Sequence, residues 1–191
     1  MSGETRQKTV VLTGASREIG HATVKRFSCE GWRVLTCLRQ PFDPRCPWPG
    51  GEENHIQIDL ADPGKTIEVI EIIREKLDGK LDALVNNAGI SPKGPGGARI
   101  NTIETDLRTW GQVFHVNFFA RIVLARGLST ELTAARGAVV NITSIARVRV
   151  HPFAGAAHAP SGTALGSCRC DLARIIHDGD GLRISQAGLA A

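Results

Sequence analysis

The segment whose residue types point most directly to chemistry is an apolar run that ends in a turn of small residues. Residues 9–13 are apolar or β-branched without alternation, which predicts a buried parallel strand. Gly14 and Gly20 follow it, and a helical pattern begins at about Ile19. Small residues let the backbone approach a phosphate, and a helix N terminus offers free N–H groups and the positive end of the helix dipole. The turn therefore predicts a binding site for the pyrophosphate of a dinucleotide.

The end of the second predicted strand indicates which dinucleotide this is. In dinucleotide-binding folds this position contacts the adenine ribose, where an acid favours NAD and an arginine accommodates the 2′-phosphate of NADP. Residues 37–40 read Cys-Leu-Arg-Gln without an acid, and Arg17 adds a second guanidinium in the glycine turn. Two guanidinium groups suit a dianionic phosphate, so NADP(H) is favoured over NAD(H). The alternative is that Arg39 is a solvated charge at a strand end.

Strand-like and helical segments alternate along the chain and must position these residues. Such alternation predicts an α/β fold, a doubly wound and mostly parallel sheet covered by helices on both faces. We expect one domain over residues 1–191, with a flexible N terminus at 1–8 and a short tail at 185–191. The predicted strands are residues 9–13, 32–37, 55–59, 81–86, 138–143 and the start of a sixth at 182–184. The predicted helices are residues 19–29, 66–77, 106–136 and 161–177.

Composition excludes several classes of protein. The 191 residues are 42% hydrophobic and 22% charged, which is typical of a globular domain and not of a disordered chain. The net charge is +4 without any run of five basic residues, so nucleic acid is not an expected partner, and no apolar run is long enough to span a membrane. The five cysteines are odd in number and scattered, which predicts free thiols, no metal site and a cytoplasmic location.

Two motifs together resemble the short-chain dehydrogenase/reductases. Residues 13–20 read TGASREIG and residues 86–89 read NNAG after a predicted strand. The resemblance implies a Rossmann-type fold that is incomplete at its C terminus, and it implies binding of a nicotinamide dinucleotide. By the same resemblance, the residues expected to contact the cofactor are Thr13, Gly14, Ser16, Arg17, Ile19, Gly20, Arg39, Asp59, Leu60, Asn87, Ala88 and Gly89.

One residue of the first motif departs from the family pattern. Glu18 stands where the family carries the middle glycine of its turn. In one interpretation its carboxylate extends into solvent from the first helical turn, where acidic side chains are favourable. In the other it adds bulk and negative charge beside the phosphates and weakens binding by about 1–2 kcal/mol.

The residues that would carry the reaction depart further from the family. The family's active site is a tetrad of asparagine, serine, tyrosine and lysine, and Asn117 and Ser144 match the first two. The chain contains no tyrosine, and His158 and Gly162 stand in the tyrosine and lysine positions. An imidazole with an ordinary pKa near ~6.5 is able to donate a proton, but glycine cannot replace the ammonium group. The resemblance therefore implies a small carbonyl or alcohol substrate and predicts impaired hydride transfer.

Three finer motifs are similar to the FixR-type branch of the family, which is associated with the regulation of nitrogen fixation. They lie at residues 39–43, 45–48 and 151–155. The predicted helix between Ser161 and His177 resembles a family interface element, so a homo-oligomer formed through it is expected.

Three functional hypotheses remain open from the sequence. The first is an NADP(H)-dependent carbonyl/alcohol oxidoreductase that uses Ser144 and His158. The second is a non-catalytic, NADP(H)-binding regulatory or remnant protein. The third is a chain that folds stably only with a partner.

Overall fold

A computed structural model describes residues 6–45, 50–98, 100, 103–144, 168–178 and 181–187, the last two segments by their backbone alone. The strands are β1 (Thr9–Thr13), β2 (Arg33–Leu38), β3 (His55–Gln57), β4 (Ala83–Asn86), β5 (Ala138–Ser144), β6 (Cys168–Asp178) and β7 (Gly181–Ala187). The helices are α1 (Glu18–Cys29), α2 (Pro63–Lys76), α3 (Leu107–Phe114), α4 (Ala120–Gly127) and α5 (Ser129–Ala135). A π-helical turn, His115–Phe119, joins α3 to α4.

The strands form one sheet in the order β3-β2-β1-β4-β5-β6-β7. The first five strands of that order are mutually parallel. The chain therefore begins in the middle of the sheet, builds outward on one side, and then crosses to the other side. This crossing leaves a crevice at the carboxyl ends of β1 and β4, which is where ligands bind in open α/β sheets. The predicted Rossmann-type α/β fold is confirmed for this five-stranded part.

Alternation along the buried strands supplies a core on each face of the sheet. Val11, Leu35 and Leu84 face one layer, which contains α2 and α4. Val10, Leu12 and Val85 face the other layer, which includes Val24 of α1. All five residues of β1 are buried, because a central parallel strand is covered by helices on both sides.

Aspartate caps fix where two of the helices begin. Asp62 accepts a hydrogen bond from the backbone N–H of Lys65 at 3.1 Å, at the start of α2. Asp106 accepts one from the N–H of Thr109 at 2.8 Å, at the start of α3. Such caps satisfy donors that have no partner within the helix. No helix in the described part of the chain has both the length and the apolar content needed to cross a bilayer.

The predicted helix between Ser161 and His177 is wrong over its described part. Residues 168–177 lie in β6, which runs antiparallel to β5 with Ala173 opposite Val139. From Cys168 to Leu172 polar and apolar residues alternate, a period that suits a strand. Pairing with β5 and β7 supplies backbone hydrogen bonds that override a marginal helical preference.

The same strands revise two further expectations. Residues 161–167 lie outside the described residues, and residues 168–177 belong to a strand. The helix on which an oligomer interface was expected is therefore not formed from residue 168 onward. The predicted sixth strand, residues 182–184, lies within β7, which is the seventh strand and pairs antiparallel with β6. The pairing of β6 with β7 runs from Leu172 opposite Ala187 to Asp178 opposite Gly181.

Asp82 fastens the N-terminal segment to the sheet, and its removal is expected to destabilise the fold. Its carboxylate accepts a hydrogen bond from the Thr9 N–H at 2.8 Å and pairs with Arg6 at 2.7 Å. We expect Asp82→Ala to lower the free energy of unfolding by about 1–3 kcal/mol, because the Thr9 N–H loses its partner. Arg6→Ala should cost at most about 1 kcal/mol, because only an exposed ion pair is lost. Urea denaturation of both variants tests this; equal losses would contradict it.

Candidate functional site

The glycine turn after β1 packs so closely that side chains are excluded at two positions. Gly14 has φ +69°, a left-handed conformation, and its N–H donates to the Cys37 carbonyl at 3.0 Å. A Cβ at Gly14 would lie 2.7 Å from the Cα of Ala88, and one at Gly20 would overlap the Gly14 carbonyl oxygen. The first turn of α1 therefore lies directly against the end of β1.

Side-chain hydrogen bonds join this turn to the end of β4. The Thr13 hydroxyl oxygen accepts hydrogen bonds from the N–H groups of Asn87 at 3.1 Å and Ala88 at 3.0 Å. In return, the Asn87 amide donates to the carbonyls of Thr13 at 3.2 Å and Gly14 at 2.7 Å. The TGASREIG and NNAG motifs, which lie about seventy residues apart, therefore form one structure.

The N terminus of α1 carries no side-chain cap. Arg17 occupies the cap position in an extended conformation, and its side chain makes no capping hydrogen bond. By contrast, Asp62 and Asp106 cap α2 and α3. Ser16, Arg17 and Ile19 are all exposed here. An uncapped helix end beside a closely packed glycine turn offers its N–H groups to an anion.

Glu18 is the first residue of α1 and adopts φ +47°. This left-handed conformation costs residues with a side chain about 1–2 kcal/mol and suits glycine. The Glu18 side chain is exposed. The sequence shows which residue departs from the family pattern, whereas the structure adds that the backbone there is strained.

The ends of β2 and β3 place the other predicted cofactor residues along the same edge of the sheet. Arg39 follows β2 with an exposed side chain, and its carbonyl accepts from the Gln57 amide at 3.2 Å. Asp59 closes the turn after β3 by accepting from the Ala61 N–H at 3.0 Å, so β3 ends before it. Leu60 is buried in the core. Arg39 is thus held by its backbone and leaves its guanidinium in solvent.

Asn117 has both polar atoms committed to the backbone of Ile90. Its Oδ1 accepts from the Ile90 N–H at 2.8 Å, and its Nδ2 donates to the Ile90 carbonyl at 2.9 Å. The side chain is 1% exposed and lies in the π-helical turn His115–Phe119. Such turns frequently occur at functional sites. Asn117 therefore positions the chain that follows Asn87, Ala88 and Gly89.

His115 lies two residues before Asn117 and is half-buried. Its Nε2 is 3.4 Å from the Thr66 hydroxyl of α2. Burial lowers the pKa of His115, and the nearby negative charge of Asp62 opposes that shift. The π-helical turn is thus packed against α2 by a ring that remains neutral near pH 7.

The glycine turn, its partner motif and the parallel sheet correspond to a known family. The model of the short chain dehydrogenase family matches residues 8–166. The chain belongs to this family.

This short-chain dehydrogenase is also similar to individual proteins of the family. Protein FixR from Bradyrhizobium diazoefficiens is 54% identical over 168 residues, which is 87% of this chain and 60% of that protein. An NADPH-dependent 1-acyldihydroxyacetone phosphate reductase from Schizosaccharomyces pombe is 32% identical over 83% of this chain and 51% of its own length. The chain thus spans between one half and two thirds of these two curated relatives.

A solved structure gives the same picture of the fold. An oxidoreductase of the short chain dehydrogenase/reductase family from Brucella ovis, in complex with a partially ordered NAD, superposes with a TM-score of 0.76 and is 62% identical. The match covers 84% of this chain and 73% of that one.

Within the short-chain dehydrogenase fold, the predicted tetrad positions are only partly described. Ser144 is the last residue of β5, at the same edge of the sheet as the cofactor motifs. His158 and Gly162 lie outside the described residues. Both polar side-chain atoms of Asn117 are hydrogen-bonded to the backbone of Ile90. In the described ranges, no group of three or more His, Cys, Asp or Glu residues is placed to bind a metal ion.

Two residues that were not among the predicted site residues link the site to the next strand. The buried Asn86 of β4 donates from Nδ2 to the Asn141 Oδ1 of β5 at 3.0 Å. The two residues are direct neighbours in the parallel register. Asparagine is disfavoured in strands, so two asparagines in otherwise apolar strands were the signal that could have revealed this link.

Proposed function

We propose that this chain binds a nicotinamide dinucleotide in the crevice at the carboxyl ends of β1 and β4, with NADP(H) preferred over NAD(H). It is a short-chain oxidoreductase by descent, with hydride transfer between the cofactor and a small carbonyl or alcohol as its ancestral reaction. That reaction is weak or lost in this chain, because histidine and glycine replace the tyrosine and lysine of the tetrad.

The observation that carries the proposal is the uncapped N terminus of α1 beside a turn whose two glycines, Gly14 and Gly20, leave no room for a side chain. A Cβ at Gly14 or Gly20 would meet backbone atoms, so the turn keeps the helix end open and close to the sheet. Asn87 and Thr13 hold this geometry through four hydrogen bonds. The cradle fits a pyrophosphate, whose oxygens would accept from the free N–H groups of the first helical turn.

Each group of residues has a separate role in this proposal. Gly14 and Gly20 admit the pyrophosphate, and Arg39 and Arg17 attract the 2′-phosphate. Asn117 positions the backbone of residues 87–90 along the crevice, and Ser144 orients a substrate carbonyl. The nicotinamide supplies the hydride chemistry when it is bound.

The preference for NADP(H) rests on charge. The end of β2 carries Arg39 and no acid, and Arg17 is exposed in the adjacent turn. Asp43 is the acid nearest to Arg39 along the chain, and it is paired with Arg45 at 2.9 Å. The Schizosaccharomyces relative is NADPH-dependent by name, whereas the Brucella structure contains NAD. A direct comparison of the two cofactors is therefore the decisive test.

The first experiment is a titration of the folded chain with NADPH, followed by quenching of tryptophan fluorescence, with NADH as the comparison. Trp110 and Ile90 both pack against Val113, so one of the three tryptophans lies near the predicted crevice. Saturable quenching by either nucleotide supports the proposal. Absence of binding to both, in a chain that melts cooperatively, would refute it.

Arg39→Ala is expected to remove the preference for NADPH. Loss of a charge-assisted contact to the 2′-phosphate should raise the Kd for NADPH about tenfold, whereas the Kd for NADH should change by less than about twofold. Arg136→Ala is the matched control, because Arg136 is also exposed but follows α5 at the opposite edge of the sheet. Equal weakening of both nucleotides by Arg39→Ala would contradict the assignment.

A second candidate function is a dinucleotide-binding regulator without turnover. The absence of tyrosine from the sequence favours it, as does the 54% identity to FixR. It predicts nucleotide binding without consumption of NADPH in the presence of simple ketones and aldehydes. Turnover that is lost in both Ser144→Ala and His158→Ala would instead establish the oxidoreductase.

A further inference from the structure

We propose that Glu18 sets the affinity of this chain for dinucleotides, by holding a negative charge at the helix end that the pyrophosphate would occupy. The inference rests on the proposed function and concerns the residue at which the glycine turn departs from the family pattern. It assigns to Glu18 an effect on the binding of the pyrophosphate. This effect is therefore equal for NADPH and NADH, which both contain that group.

The first support is conformational. Among the described residues, only Glu18 (φ +47°) and Arg136 (φ +52°) combine a side chain with a positive φ. Glycine would adopt this conformation without strain. Both residues are exposed, so neither is held in place by burial of its side chain. Packing of the Glu18 side chain therefore does not explain why the strain is maintained.

The second support is electrostatic. Glu18 is the acidic residue in the first turn of α1, and the cap residue Arg17 makes no side-chain hydrogen bond there. A carboxylate in the first helical turn compensates the positive end of the helix dipole. An incoming pyrophosphate would use the same dipole and the same free N–H groups, so the two anions compete. The free protein gains from this carboxylate, whereas the complex is weakened by it.

Conformation and charge are separable by two substitutions. Glu18→Gln removes the charge but keeps a side chain at positive φ, and Glu18→Gly removes both. Arg136→Gly is the matched control, because it relieves the same kind of strain far from the crevice. Each protein is titrated with NADPH and with NADH, at about 50 mM and about 500 mM NaCl, and its thermal unfolding is recorded.

We expect Glu18→Gln to lower the Kd for both nucleotides by about tenfold at low salt, which corresponds to removal of about 1.4 kcal/mol of repulsion. The gain should shrink at high salt, because screening weakens a charge effect and leaves a conformational one unchanged. Glu18→Gly should melt about 3 °C above Glu18→Gln, because both lack the charge and only the former relieves the strain. Arg136→Gly should leave both Kd values within about twofold of the wild type.

The failure of this inference differs from the failure of the proposed function. If the wild type binds NADPH and Glu18→Gln binds it with the same Kd at low salt, the role of Glu18 is refuted and the cofactor site stands. If Glu18→Gln tightens NADPH alone, the charge acts at the 2′-phosphate and the inference is also refuted. If no protein binds either nucleotide while all melt cooperatively, the proposed function itself fails.

Discussion

Gly14→Ala is expected to lower the free energy of unfolding by about 3–5 kcal/mol and to abolish nucleotide binding. Two costs combine at this position. The left-handed φ of +69° is unfavourable for alanine, and the new Cβ would lie 2.7 Å from the Cα and 2.9 Å from the N of Ala88. Because the obstructing atoms are backbone, relief requires β1 and β4 to separate at the crevice. Chemical denaturation and the NADPH titration measure the two effects.

Two other glycines separate these costs. Gly31 also has a positive φ, of +77°, but a Cβ there would meet no atom within 4 Å. Gly31→Ala should therefore show the conformational cost alone, about 1–2 kcal/mol. A Cβ at Gly111 of α3 would likewise meet nothing within 4 Å, so Gly111→Ala should stabilise the helix by about 1 kcal/mol. If Gly14→Ala costs no more than Gly31→Ala, the close approach of the two strands is refuted.

The second large effect is expected at Asn117. Asn117→Leu keeps the approximate size of the side chain but removes both hydrogen bonds to Ile90, at 2.8 Å and 2.9 Å. The partly buried N–H and carbonyl of Ile90 would lose their partners, so we expect the free energy of unfolding to fall by about 2–4 kcal/mol. Gln112→Leu on the exposed face of α3 is the control and should change stability by less than about 0.5 kcal/mol. Urea denaturation of both variants provides the measurement.

Asn117→Asp tests the same two hydrogen bonds through the pH dependence of folding stability. When protonated, the introduced carboxyl can donate to the Ile90 carbonyl and accept from the Ile90 N–H, as the amide does. When ionised, it would be buried beside a carbonyl oxygen, so its pKa in the folded state is raised above the unfolded value of about 3.9. The folded state then binds more protons than the unfolded state, and stability falls as pH rises from about 4 through the folded pKa. A loss of stability that is independent of pH would contradict this arrangement.

Much of the parallel sheet could be predicted from local pattern. Buried parallel strands are continuous apolar runs, and each such run, from β1 to β5, lies within two residues of its predicted position. Both β3 and β4 are shorter than predicted. The strand β4 begins at Ala83, and β3 ends at Gln57, after which Asp59 closes a turn with Ala61. Periodicity detects which residues are buried, but strand ends depend on particular capping contacts.

The prediction failed where the decisive interactions were non-local. Residues 168–177 have apolar residues at spacings that suit a helix, and they also alternate in part as a strand does. The structure pairs them with β5 over seven residue pairs, from Ala138 opposite Arg174 to Ser144 opposite Cys168. A partner strand more than twenty residues away contributes hydrogen bonds that no local window contains, and so overrides the local preference.

Some features of the candidate site can likewise be predicted from residue types, whereas others cannot. Residue identity alone determines that Gly14 and Gly20 suit a phosphate turn, that the end of β2 carries Arg39 and no acid, and that no tyrosine can supply a phenol. Identity could not show that Asn117 is fully used by Ile90, because both hydrogen bonds join residues 27 positions apart. Nor could it show that Glu18 is strained, because a backbone angle of +47° is set by how α1 packs against the end of β1. Residue types determine the local chemistry, whereas burial, backbone strain and hydrogen-bond partners arise only when distant segments pack together.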